Sequence, residues 1–246
     1  AISALAKSMK DEGKDVLSFS AGEPDFPTPE RISNAGIQAI KDGQTTYTAA
    51  SGMPSLRKAI SSKIKRELDI DYTADEIVVS CGAKHSIYNC LYAVINPGDE
   101  VLIPAPYWVS YPSQVQLVGG EPVILETTES NSFKITAEQL ANSITDKTKL
   151  LILNSPSNPT GSVYSREELE ALAKVIVEKQ ILVLSDEIYA KLVYGATKHT
   201  SIASISSQIK DLTLLVDGAS KAYSMTGWRI GYVAGPKPII QVMNRM

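Results

Sequence analysis

Short apolar runs alternate with amphipathic stretches along almost the whole chain, and this alternation restricts the fold more than any other feature of the sequence. The runs fall near residues 77–80, 101–104, 121–125, 150–153, 181–185, 212–217 and 230–234. They read as strands buried on both faces. Amphipathic helices are expected at about 30–41, 53–67, 83–95, 165–179 and from 236 onward. Strands separated mostly by helices imply an α/β fold, a largely parallel seven-stranded sheet covered by helices on both faces. Sheets of this kind bind ligands beyond the carboxyl ends of their strands. Proline-rich turns at 24–29, 104–112 and 156–159 then read as pocket-shaping loops rather than linkers.

Lys221 lies in the run DGASKAYSMTGWRIG, residues 217–231, flanked by small residues and eight positions before Arg229. A lysine amine condenses with an aldehyde, and a guanidinium grips a phosphate. Aldehyde plus phosphate describes pyridoxal 5′-phosphate (PLP). Three other strand ends add matching groups. The run 181–184 delivers Asp186 and Tyr189, a carboxylate suited to a protonated pyridine nitrogen and a phenol suited to the ring hydroxyl. The run 150–153 leads into a Pro/Ser/Asn/Gly turn carrying Asn158, whose amide suits that hydroxyl or a substrate carboxylate. The run 77–80 leads through Cys81, Gly82 and Ala83 into a helix, where small residues let backbone N–H groups approach a phosphate. Each motif alone is commonplace; their order on successive strand ends is specific.

With these residues in place the chain resembles the fold-type I PLP-dependent aminotransferases of class I/II. Within them it is most similar to bacterial-type aspartate and aspartate/prephenate aminotransferases. The similarity runs through SAGEPDFPTP (20–29), TTYTAASGMPSLR (45–57), SCGAKHSIYN (80–89), PAPYWVSYP (104–112), NSPSNPTG (154–161), SDEIY (185–189) and SKAYSMTGWRIGY (220–232). The resemblance implies Lys221 as the Schiff-base lysine and proton-moving base, Asp186 as the pyridinium partner, and Tyr189 and Asn158 as partners of the ring hydroxyl. It implies Trp108 as the aromatic plate over the ring, and Gly82, Ala83 and Arg229 as phosphate ligands. Tyr47 is implied as a phosphate ligand donated by the neighbouring subunit of a homodimer, and Gly22 as backbone that meets the substrate, alongside Lys84, Trp108 and Asn158. Some relatives carry a phosphate-binding serine three residues before the lysine; here that position is Gly218.

Substrate choice turns on Lys84. A cation at a helix amino terminus is unfavourably placed unless an anion offsets it. In the resembled branch the matching lysine reads a distal carboxylate, which implies transamination between L-aspartate or glutamate and a 2-oxo acid such as 2-oxoglutarate, with prephenate as a further acceptor. The same Lys221, Asp186 and Arg229 pattern occurs in alanine and aromatic aminotransferases, in C–S lyases, and in the PLP-sensing domain of transcription regulators.

The remaining composition fits a metabolic enzyme. A net charge of −3 with scattered Lys and Arg gives no footprint for nucleic acid. No apolar run approaches a membrane span, and the amino terminus lacks a signal-peptide pattern. Cys81 and Cys90 have neither metal nor disulfide spacing and read as reduced residues of a cytoplasmic protein. The two histidines, His85 and His199, are too few for metal or triad chemistry. Both ends read as cut, within AISALAKSM and KPIIQVMNRM. The expected organisation is therefore residues 1–25 as a segment that would pack on a small carboxy-terminal domain outside this chain, and 26–246 as the large PLP-binding domain. That small domain would carry the arginine for the substrate α-carboxylate.

Reducing the PLP-loaded protein with borohydride should fix the cofactor on the peptide containing Lys221, and Lys221→Ala should abolish the label. Recovery of the label on Lys84 or Lys191 would overturn the assignment.

Overall fold

The apolar runs form strands, and the connections between them decide the strand directions. The computed structural model describes residues 2–17 and 22–246; Ser20 and Ala21 of the 20–29 motif lie outside the described residues, as do Ala1, Ser18 and Phe19. Seven strands form one sheet: β1 Ile77–Ser80, β2 Glu100–Pro104, β3 Glu121–Leu125, β4 Thr148–Asn154, β5 Leu182–Asp186, β6 Thr213–Gly218 and β7 Gly231–Ala234. Their order is β1-β7-β6-β5-β4-β2-β3. From β1 to β6 each connection includes a helix, and the strands from β3 across to β6 pair in parallel. The segment 219–230 contains no such crossover helix, so the chain turns straight back and β7 runs antiparallel to both β6 and β1. That return segment carries both Lys221 and Arg229.

Helices cover both faces. On one face α4 (Ala83–Val94), α5 (Ser110–Leu117) and α9 (Lys237–Met243) pack on Val78, Ile103, Ile152, Leu184, Val216 and Val233. On the other, α6 (Ala137–Ser143), α7 (Arg166–Lys179) and α8 (Ser207–Lys210) cover Leu102, Leu151, Leu153 and Val183. There α3 (Pro54–Leu68) covers Ile77, Leu215 and Tyr232. The α7 sequence shows why such a helix forms. Ser165 and Glu168 cap each other's backbone N–H groups, and Leu169, Leu172, Ala173 and Ile176 form one buried stripe. Burying each of its two leucines contributes about 1.5–3 kcal/mol.

Two helices, α1 (Ile2–Asp11) and α2 (Glu30–Lys41), stand away from this core; α2 buries none of its side chains. Helix α5 corrects the expectation of a loop across 104–112. Pro112 occupies its first turn, where the missing N–H is harmless, so a proline that reads as a breaker sits inside a helix. Helix α6 was also not expected, because its seven residues bury only Leu140 and leave no stripe to read.

The tightest backbone contact joins β7 to the turn before α4. A Cβ on Gly231 would lie 2.3 Å from Ala83 N and from the Gly82 carbonyl carbon, backbone atoms with little room to move. Gly231→Ala should therefore cost at least the ~1–3 kcal/mol of an overpacked site. In a chain of this size that is roughly 2–4 °C of Tm per kcal/mol. Gly227→Ala, whose Cβ would meet nothing within 4 Å, is the control. Equal melting of the two variants would show that the contact yields.

Candidate active site

At the carboxyl end of β5 the strand places a carboxylate where almost no water reaches. Asp186 is 3% exposed. One of its oxygens accepts the Tyr111 hydroxyl at 2.6 Å and the other accepts the Ile188 N–H at 3.2 Å. Burial pushes its pKa up to about 6, against the pull of those two donors, and the nearby Asp217 and Glu187 charges push the same way. Among the described residues no Lys, Arg or His forms an ion pair with it. Tyr111 itself is 2% exposed, and burial beside Asp186 raises its phenol well above the usual range, so it acts as a donor.

The β4 end supports the same corner. Asn154 donates to the Asp186 carbonyl at 2.9 Å and accepts the Asn158 N–H at 2.7 Å. This double contact holds the Asn158 turn against β5. The Asn158 amide in turn donates to the Tyr189 hydroxyl at 3.2 Å, and the Lys221 ammonium lies 5.7 Å from the Tyr189 ring centre. Lys221 also donates to the Gly22 carbonyl. Partial burial lowers its pKa against the opposing field of Glu23, which favours a reactive neutral amine.

Arg229 closes a third side. It adopts a left-handed backbone (φ 59°) and donates to the Thr226 and Cys81 carbonyls at 2.8 and 3.2 Å. These contacts lay its guanidinium over Gly82, where a Cβ would sit 2.3 Å from Nη2. Gly82 has φ +92°, so side chains are disfavoured there both by backbone strain and by space. Ala83 begins α4, whose first N–H groups have no partner within the helix. Position 218 has no comparable freedom. A Cβ on Gly218 would lie 2.8 Å from the Ile230 carbonyl oxygen, so the β7 backbone occupies the place of a serine side chain.

Trp108 meets Tyr111 edge to face, with ring centres 5.4 Å apart. The Lys84 ammonium lies 4.8 Å from the Trp108 ring centre. The sequence-expected residues Lys221, Asp186, Tyr189, Asn158 and Gly22 thus form one linked group, and Trp108 with Lys84 joins it through Tyr111. Gly82, Ala83 and Arg229 form the adjoining cradle. Tyr47 differs from all of these, being fully exposed. Sequence reasoning missed Tyr111 and Asn154. Tyr111 lies in the first turn of α5, three positions after Trp108, whose carbonyl accepts its N–H at 3.0 Å, so recognising that helix start would have pointed to it.

A family model for aminotransferase class I and II matches residues 14–246. The chain belongs to that family. It is 55% identical to an aspartate aminotransferase of Bacillus sp. (strain YM-2), covering 99% of this chain and 62% of that protein. It is 49% identical to a probable aspartate/prephenate aminotransferase of Rhizobium leguminosarum bv. phaseoli, over 99% of this chain and 61% of that one. Among solved structures, Thermus thermophilus aspartate aminotransferase with maleate superposes with a TM-score of 0.96 at 43% identity, covering 99% of this chain and 63% of that one. The chain thus spans less than two thirds of the length of these relatives.

Enzymes of this family depend on PLP, and the residues present fit it. A buried carboxylate with no cation paired to it among the described residues suits a pyridinium, the Arg229–Gly82 cradle at a helix start suits a phosphate, and a lysine of lowered pKa suits an aldehyde. No group of His, Cys, Asp or Glu that could hold a metal ion occurs among the described residues. Among them no helix is long and apolar enough to cross a membrane.

The Tyr111 hydrogen bond favours ionised Asp186, so Tyr111→Phe in the cofactor-free protein should cost more where Asp186 is charged. The folded pKa of Asp186 stands above the ordinary carboxylate value, so burial of the charge weakens the fold as pH rises through the window from about 4 to about 6. Losing the donor should deepen that weakening. Urea unfolding should show a loss of roughly 1.5–3 kcal/mol at pH 8, and a clearly smaller one at pH 4. Equal losses at both would show that Tyr111 serves packing alone.

Proposed function

We propose that the complete protein is an aspartate aminotransferase, with the large-domain share of its active site in this chain. The observation that carries the reading is the convergence of Lys221, Tyr189, Asn158 and Asp186 from the ends of β4, β5 and β6. PLP, when bound, supplies an electron sink that makes the substrate α-proton labile.

The protein supplies position and proton transfer. Lys221 would hold the cofactor's aldehyde carbon through its amine and would serve as the base for the substrate α-proton; partial burial, which lowers its pKa, keeps the neutral amine accessible. Asp186 would keep the ring nitrogen positive, with Tyr111 and the Ile188 N–H favouring the ionised carboxylate. Tyr189 and Asn158 would hold the ring hydroxyl, Arg229 with the Gly82 and Ala83 backbone would hold the phosphate, and Trp108 would cover the ring. Gly22 offers its carbonyl at the substrate side, where Lys221 already reaches it.

Lys84 supports a dicarboxylate substrate. Near the Trp108 ring, it offers a cation at the edge of the cofactor plate. The Bacillus relative is named an aspartate aminotransferase, and the Thermus relative was solved with maleate. Glutamate serves as the alternative donor and 2-oxoglutarate as an acceptor. Prephenate is a second acceptor in this reading because the Rhizobium relative's name includes it.

A homodimer with a shared site accounts for the exposed features. Tyr47 is fully exposed, which suits a phosphate ligand donated across an interface, and Phe26, Ile37 and Ile40 nearby in sequence are also exposed. Residues 26–246 form the large domain, and residues 1–25 belong with a small domain that completes the relatives' length. Two free cysteines support a cytoplasmic location.

In the complete gene product, Lys84→Ala should reduce kcat/KM for aspartate by on the order of ten- to a hundredfold, the worth of one charge-assisted contact, while alanine changes little. Single-turnover absorbance of the cofactor reads both. An equal loss for the two substrates would assign Lys84 to the fold or the phosphate.

A further inference from the structure

Three buried carboxylates crowd the ends of two neighbouring strands, and the reading of Asp186 as the ring-nitrogen partner accounts for only one of them. Asp186, Glu187 and Asp217 are 3%, 2% and 7% exposed. Successive residues of a strand point to opposite faces, so Asp186 joins Tyr111 on the α5 side. Glu187 and Asp217 lie on the face covered by α3 and α7. Asp217 has its cation: Lys63 of α3 donates to it at 2.9 Å, with the Tyr232 hydroxyl at 2.8 Å and the Gly218 N–H at 2.6 Å. Glu187 accepts Ser185 at 2.8 Å and Ser201 at 2.6 Å on one oxygen, and meets His199 Nε2 at 2.7 Å on the other.

Counting charges exposes the logic. Lys63 matches Asp217, and the cofactor's ring nitrogen matches Asp186, so Glu187 is balanced only by a protonated His199. The other ion pairs nearby are made on Glu67. Glu67 of α3 binds both Lys63 and Lys191, at 3.3 and 2.9 Å, and Lys198 borders the same cavity. His199 is itself buried, its Nδ1 lacks a protein partner, and it lines this cavity of about 290 Å3, which has room for water to accept the second N–H. Burial and the Lys191 charge push its pKa down, Glu187 and Asp217 push it up, and the net shift is upward.

We propose that His199 is a positioning residue for the reaction: protonated and clamped to Glu187, it balances the second carboxylate behind β5 and so sets the field at Asp186 and at the cofactor from the opposite face of the sheet. Removing its charge makes the potential at the site more negative, and every proton there is held more tightly.

The inference rests on the PLP reading, and the test separates the two. In the cofactor-free protein, NMR titration of the His199 ring should give a midpoint above the ordinary value of about 6.5, and Glu187→Gln should lower it. A wild-type midpoint at or below that value overturns the proposal, whatever the cofactor does. In the PLP-loaded complete gene product, His199→Gln should raise the midpoint of the pH-dependent cofactor absorbance. The shift should be on the order of half a unit to one unit, as for a charge removed beside buried carboxylates. Glu187→Gln should move it the opposite way, and the double variant should return it near wild type. An unchanged midpoint in His199→Gln, or shifts of the same sign in both single variants, defeats the proposal. Should His199→Gln fail to fold, Glu187→Gln and the double variant still decide it. Absence of any cofactor absorbance in the wild type would count against the proposed function instead.

Discussion

Burying a carboxylate at the end of a central strand is the constraint around which this molecule is arranged. An isolated charge there is costly, and the structure meets the cost with donors rather than a countercharge. Tyr111 and the Ile188 N–H stabilise the anion, yet its pKa still stands near 6, so the site retains a need for a positive partner. The neighbouring carboxylates sharpen that need. Among the described residues Glu187 and Asp217 each have a cation or protonatable base as partner, and Asp186 has none. In the proposed function a cofactor pyridinium would satisfy the imbalance, which ties the electrostatics of the protein to that chemistry.

A second constraint is steric and lies at the antiparallel strand. Without a crossover helix the chain turns back after β6, and β7 enters so close to the start of α4 that Gly231 tolerates no side chain without a backbone shift, while Gly82, at φ +92°, lies under the Arg229 guanidinium. The same closeness leaves no room for a serine at Gly218 and holds Arg229 over the Gly82 turn. Residues 22–28 are tied to the return segment. Thr28 donates to the Ser224 carbonyl at 2.6 Å and accepts Trp228 Nε1 at 3.1 Å, and Thr226 donates to Glu23 at 3.0 Å. The segment carrying Lys221 is therefore positioned from both sides, by β7 and by the amino-terminal loop.

Much of this was legible in the residues themselves. The seven strands follow from unbroken apolar runs, because a strand buried on both faces needs nothing else to declare it. Lys221, Asp186 and Asn158 were legible because each follows such a run within a few residues, and Arg229 because it immediately precedes one, where local sequence fixes local position. Tyr111, Asn154 and His199 were not. Tyr111 was obscured by three prolines between 104 and 112 that suggest a loop, Asn154 by its ordinary place at a strand end, and His199 by a segment with no periodicity at all.

Sequence alone determined the alternation of strands and helices, the glycines at tight turns and the chemical types gathered at the strand ends, since these depend on near neighbours along the chain. Only the tertiary structure decided which carboxylate lacks a cation, that Tyr111 rather than a charge supports Asp186, and that Glu187 is clamped by a histidine twelve residues away. Those facts depend on burial and on which face of the sheet a side chain meets. Both are properties of the packed layers, and no local pattern encodes them.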